Sequence, residues 1–123
     1  MMPEQDELLV DGPLVVAWHR YGTDVVIVAL AGEIDASNVG SARGVLDKVA
    51  VDGADEILLV DLSALEFIDS SGIALLVSLA EADGDGTTLR VVPSDAPAVS
   101  RIMQLTGVNS MLRFAREHPA HTA

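Results

Sequence analysis

The chain has 123 residues, half of them hydrophobic and only 3% aromatic, with 7 basic against 19 acidic side chains and a net charge of −12. That length fits one domain burying roughly two-thirds of its unfolded surface, around a core of Val, Leu, Ile and Ala. The charge disfavours nucleic acid and anionic membrane as partners, because each phosphate contact needs a cation. Having no cysteine excludes a disulfide framework, a thiolate nucleophile and a thiolate-held metal.

Residues 1–12 are acidic and weakly patterned, and are expected to form a disordered tail. They lack the basic start and apolar stretch of a signal peptide. No apolar run approaches the ~20 residues that cross a bilayer, so a cytoplasmic protein without membrane insertion is expected. Residues 14–18 read as a strand, followed by a turn at 21–23. Residues 25–30 are apolar at every position, which predicts a strand buried on both faces of a sheet covered by helices. From Asp35 or Ser37 as cap, Val39, Ala42, Leu46 and Val49 share one helical face. Gly40 and Gly44 weaken that helix by roughly 1 kcal/mol each relative to alanine.

Residues 57–60 form another short strand and are followed by a polar turn that runs to Asp69-Ser70-Ser71-Gly72. A helix apolar nearly all round extends from Ser70 to about Ala82 and stops in Asp83-Gly84-Asp85-Gly86. Residues 89–92 give a further strand. The third helix starts near Asp95 and Pro97, with Val99, Ile102, Met103 and Thr106 inward and Gly107 terminating it. A last strand is expected over 111–114. The order β-β-α-β-α-β-α-β predicts an α/β fold, with helices packed against a mixed, largely parallel sheet.

Ser and Asp accept hydrogen bonds from the unpaired N–H groups of a helix's first turn, and that turn tolerates a phosphate. Ser70 is therefore either a cap or a phosphorylation switch. Asp69 is either a neighbour of a phosphate site or a turn former, and Asp61 either closes a strand end or meets a partner. Gly72 admits either a partner's approach or a tight helix start. Trp18 and Phe67 read as packing residues. His19, His118 and His121 do not share a spacing that suggests a metal site.

Three stretches, in order, resemble the STAS domain family (sulfate transporter and anti-sigma factor antagonist), specifically the stand-alone bacterial anti-sigma factor antagonists. They are Leu30-Ala31-Gly32-Glu33-Ile34-Asp35; Asp61-Leu62 through Phe67-Ile68-Asp69-Ser70-Ser71-Gly72; and Ala98-Val99-Ser100-Arg101-Ile102-Met103 with Thr106-Gly107-Val108 and Leu112-Arg113-Phe114. The resemblance implies one STAS-like domain over 13–116; residues 117–123, short and interrupted by Pro119 where family members often carry a fuller helix, are expected to be a flexible tail. It implies that Ser70, or alternatively Ser71, is phosphorylated by an anti-sigma factor that is itself a serine kinase. The unmodified form would capture that kinase, the modified form would release it, and a serine phosphatase would reset the system. Asp35, Asp69, Ser70, Ser71 and Gly72 would form the switch surface, with no cofactor and no metal.

An enzyme is not expected: no Gly-x-Ser-x-Gly elbow, no Walker-type phosphate loop and no convincing general base are present. The competing expectation is an adaptor subunit of a transport system or stress-sensing assembly on the same fold. A stand-alone length and an intact Asp69-Ser70-Ser71-Gly72 favour the sigma-regulatory reading.

Overall fold

A computed structural model describes residues 7–22, 24–52, 56–84 and 88–115. The elements are strands β1 (Glu7–Asp11), β2 (Leu14–Tyr21) and β3 (Val25–Ile34), helix α1 (Val39–Asp52), strands β4 (Ile57–Asp61) and β5 (Leu65–Ile68), helix α2 (Ser70–Asp83), strand β6 (Leu89–Val92), helix α3 (Pro97–Leu105) and a 3-10 helix (Val108–Met111). The sheet order is β1-β2-β3-β4-β6, with β5 paired to the far end of β3. The β1–β2 and β2–β3 pairings are antiparallel, whereas β3–β4, β3–β5 and β4–β6 are parallel. The mixed, largely parallel α/β sheet is thus as expected. Among the described residues no helix is long and apolar enough to cross a membrane.

The alternation of strand side chains builds one core. Leu14, Val16 and Trp18 of β2, Val28 and Leu30 of β3, Val60 of β4, and Leu89 and Val91 of β6 meet Ala42, Val45, Leu46 and Val49 of α1. Leu75 and Leu76 of α2 and Val99 and Met103 of α3 join the same cluster. Each full burial of a Val, Leu or Met side chain stabilises by roughly 1.5–3 kcal/mol, so aliphatic packing suffices with few aromatics.

Burial of 25–30 on both faces holds only in part. Val26, Ile27 and Val28 are all buried, but beyond them the strand alternates and Ala29 and Ala31 are half-buried. Ile27 and Leu59, side by side in register, lie outside the cluster that the buried residues of all three helices join. The helices therefore cover one face of the sheet, and Ile27 and Leu59 belong to the other.

Four further expectations are corrected. Part of the supposed tail, residues 7–11, is β1: Leu8-Leu9-Val10 pairs with β2 across the tight Gly12–Pro13 turn, and local hairpin pairing outweighs the acidic flanks. Residues 1–6 and 116–123, hence the rest of both expected tails, lie outside the described residues. The supposed polar turn before α2 contains β5. The expected strand over 111–114 is a 3-10 helix ending at Met111, followed by a single parallel bridge from Phe114 to Val91. Thr106 is exposed, not inward, and its hydroxyl donates back to the Ile102 carbonyl at 2.8 Å, the usual satisfaction of a hydroxyl at a helix end.

Candidate functional site

The candidate corner is built where β3 and β5 end side by side. Gly32 pairs with Leu65, then the register shifts, so that Glu33 faces Phe67 and Ile34 faces Ile68. Gly32 sits at φ 88°, and a Cβ there would lie 2.0 Å from the Pro13 carbonyl oxygen. Only glycine fits this close approach. The Gly32 amide donates to Ala64 O at 3.1 Å and the Glu33 amide to Pro13 O at 3.1 Å. The β1–β2 turn, β3 and the start of β5 are therefore tied at one point.

After β5 the chain turns into α2 at Asp69, whose extended backbone and acidic side chain suit an N-cap. One carboxylate oxygen, Oδ1, accepts from Ser71 N at 2.8 Å and Gly72 N at 3.2 Å. The other, Oδ2, accepts from Ala36 N at 3.2 Å, and the Asp69 amide donates to Ile34 O at 3.2 Å. Asp69 thus caps α2 and grips the 35–38 loop. It is a turn former whose second oxygen joins the two halves of the corner.

Ser70 is not the cap. It is the first residue of α2 and is exposed, and among the described residues its hydroxyl has no hydrogen-bond partner. Two of the first-turn donors, the Ser71 and Gly72 amides, are already taken by Asp69. Ser71 is half-buried, its amide bound to Asp69.

Gly72 is buried and does not belong to a surface. A Cβ there would meet Ile68 Cγ1 at 2.5 Å and Ile34 Cγ2 at 2.9 Å. Of its two readings, the tight helix start is the one the packing carries.

Asp35 is the first residue of the β3–α1 loop. Its Oδ1 accepts from the Ser37 hydroxyl at 2.6 Å and the Ser37 amide at 2.9 Å. These two bonds, the hydroxyl first, hold its carboxyl below the ordinary carboxylate range. The loop is anchored from beneath by Asn38, 1% exposed, which accepts from Asp35 N at 2.9 Å and donates to Glu33 O at 3.0 Å. Sequence reasoning passed over Asn38, although Asn preceding a helix is a usual turn-closing residue. It also misplaced Phe67, which is 44% exposed rather than packed.

The remaining candidates lie elsewhere. Asp61 accepts from Ser63 N at 2.9 Å, closing the turn after β4. His19 lies on β2, its ring edge-on to Tyr21 at 4.4 Å, while His118 and His121 are outside the described residues. Among the described residues no group of three or more His, Asp or Glu is placed to hold a metal ion. The corner offers a protruding hydroxyl, an exposed aromatic ring and the carboxylates of Glu33, Asp35, Glu66 and Asp69. No histidine is among these corner residues.

Comparison with known proteins agrees with this fold. The anti-sigma-F factor antagonist RsfB of Mycobacterium tuberculosis is 29% identical over 99 residues, covering 80% of this chain and 80% of that protein. A crystal structure of an anti-sigma factor antagonist from Mycobacterium paratuberculosis superposes with a TM-score of 0.71 at 28% identity, over 94% of this chain and 90% of that one. The anti-sigma factor antagonist SpoIIAA in its unphosphorylated form shares the fold, with a TM-score of 0.67 at 22% identity, over 85% of this chain and 91% of its own. Residues 19–120 match the STAS domain, and the chain belongs to the STAS domain family.

Proposed function

We propose that this protein is a non-catalytic, cytoplasmic anti-sigma factor antagonist whose binding is switched by phosphorylation of Ser70. Its relatives are named for the general role. The observation that carries the switch is the division of labour at the start of α2: Asp69 does all the capping, leaving the Ser70 hydroxyl exposed. A serine that capped the helix could not be modified without loosening α2. This one can.

Unmodified, the corner docks on an anti-sigma factor that is also a serine kinase, and the sigma factor is freed. To modify Ser70 the kinase must bring a nucleotide phosphate to its hydroxyl. After transfer the new phosphate, carrying about −1.5 to −2 charges, faces the spent nucleotide and stands in the middle of a close-fitting contact. Bulk, desolvation and repulsion release the partner without refolding, and a serine phosphatase restores the hydroxyl. A change of ~2–4 kcal/mol corresponds to roughly a 30- to 1000-fold loss of affinity.

The test is a pull-down from lysate of the source organism with wild type beside Ser70→Asp, followed by calorimetry on the recovered partner. An ATP-binding serine kinase should be retained by wild type and bound 30-fold or more weakly by the mutant. Equal recovery of a membrane transporter by both baits would establish the adaptor role instead. Equal affinity of both baits for the kinase would remove the switch.

A further inference from the structure

A regular strand alternates its side chains, yet in β5 only Leu65 and Ile68 are buried and both residues between them are exposed. The cause is the register shift between Gly32 and Glu33, which breaks the period and leaves Glu66 and Phe67 facing solvent together. Phe67 keeps 44% of its surface exposed in a chain with one Trp, one Tyr and two Phe. It lies three residues before Ser70, within about 11 Å of it along the chain, and opposite Glu33 across the strand pair.

We propose that Phe67 is the apolar anchor of the docking surface, entering an apolar pocket on the anti-sigma factor whose rim carries Lys or Arg. The assignment rests on the anti-sigma reading of Ser70. Aromatic side chains that leave water in a central pocket dominate interface energies, and the polar groups around them exclude solvent. Glu33 and Glu66 flank the ring, Asp35 and Asp69 follow in the adjoining loops, and segments 31–38 and 64–72 contain no Lys or Arg. That ring of like charge calls for a basic rim and disfavours a second copy of this acidic chain. In the proposed complex the basic rim meets Glu33 and Glu66 beside the ring, while Ser70, three residues further on, meets the nucleotide.

The experiment titrates the purified anti-sigma kinase recovered above into wild type, Phe67→Ala, Phe67→Gln and Met111→Ala. Met111 is exposed to the same 44% but lies beside Ala80, Asp83 and Gly84, at the opposite end of α2, about 20 Å from its start. Phe67→Ala should bind at least 30-fold more weakly with its thermal midpoint nearly unchanged, and Met111→Ala should bind as wild type does. Phe67→Gln removes the ring but keeps a polar surface side chain; it should lose as much, and it decides the matter should the alanine variant fold poorly. Raising salt should weaken wild type and variant in parallel, because the anchor is apolar and the rim is charged. Phe67 variants binding within threefold of wild type, while Ser70→Asp still releases the kinase, would overturn the anchor and leave the switch standing. A ratio that collapses at high salt would overturn its apolar character. Equal binding of wild type and Ser70→Asp would instead overturn the reading beneath it, and the anchor with it.

Discussion

Helices α2 and α3 each follow a strand of the same sheet, but they begin by opposite means. At α2 an aspartate side chain caps the first turn, a serine stands first in the helix, and the third residue, Gly72, is pressed against Ile34 and Ile68. At α3 the cap residue is Ala96 with no side-chain bond, proline stands first, and the third residue, Val99, is a buried core side chain. Serine appears at both starts in contrasting roles. Ser94, 9% exposed, donates to Leu65 O at 2.6 Å and accepts from Ala96 N at 3.0 Å. The Ser70 hydroxyl has no hydrogen-bond partner among the described residues. The structural serine is buried and doubly engaged; Ser70 is left over once another residue has done the structural work.

The contrast can be broken most sharply at the third helical position. Gly72→Ala should cost roughly 2–3 kcal/mol, the upper part of the usual overpacking range, because the new methyl meets Ile68 Cγ1 at 2.5 Å. Denaturant unfolding would read it. Ser94→Ala should cost about 1–2 kcal/mol by stranding the Leu65 carbonyl and the Ala96 amide; an unchanged unfolding midpoint would show that water replaces the hydroxyl. Asp69→Ala should cost about 1 kcal/mol as a lost cap and also speed amide exchange at Ala36, whose N–H it holds. Slow exchange at Ala36 in that variant would mean the loop does not depend on the cap. The smallest effect belongs to Ser70→Ala, under about 0.5 kcal/mol as for an exposed site without partners. It should still bind the kinase but take up no phosphate; labelling that persists would move the site to Ser71.

Much of this corner was legible because its signals are local. Asp-Ser-Ser-Gly before an apolar run announces a helix start, and the stripe Ala42, Leu46 and Val49 announces a buried face whatever lies opposite. The unread parts depend on a distant strand. Nothing in Leu65-Glu66-Phe67-Ile68 says that its register with β3 will slip by one, so the ring of Phe67 could not be placed. Nor does Leu8-Leu9-Val10 announce β1 until Val15, Val16 and Ala17 are seen beside it. Whether Ser70 or Asp69 capped α2 was likewise undecidable from composition, since both residue types cap; the backbone angles chose Asp69.

The crossing at Gly32, where the Pro13 carbonyl occupies the space a side chain would need, bears on how such a protein can acquire a new partner. Glu33, Glu66 and Phe67 face outward and are free to be rewritten one at a time, with little charge to the fold. Gly32 and Gly72 hold the backbone on which those three are displayed: a methyl group has no room at Gly32 and is costly at Gly72. Divergence of partner choice within this family should therefore run along the rim of the corner while its two hydrogen-only positions stand still. A saturation scan selecting for a mismatched kinase should recover its winners at the former and none at the latter.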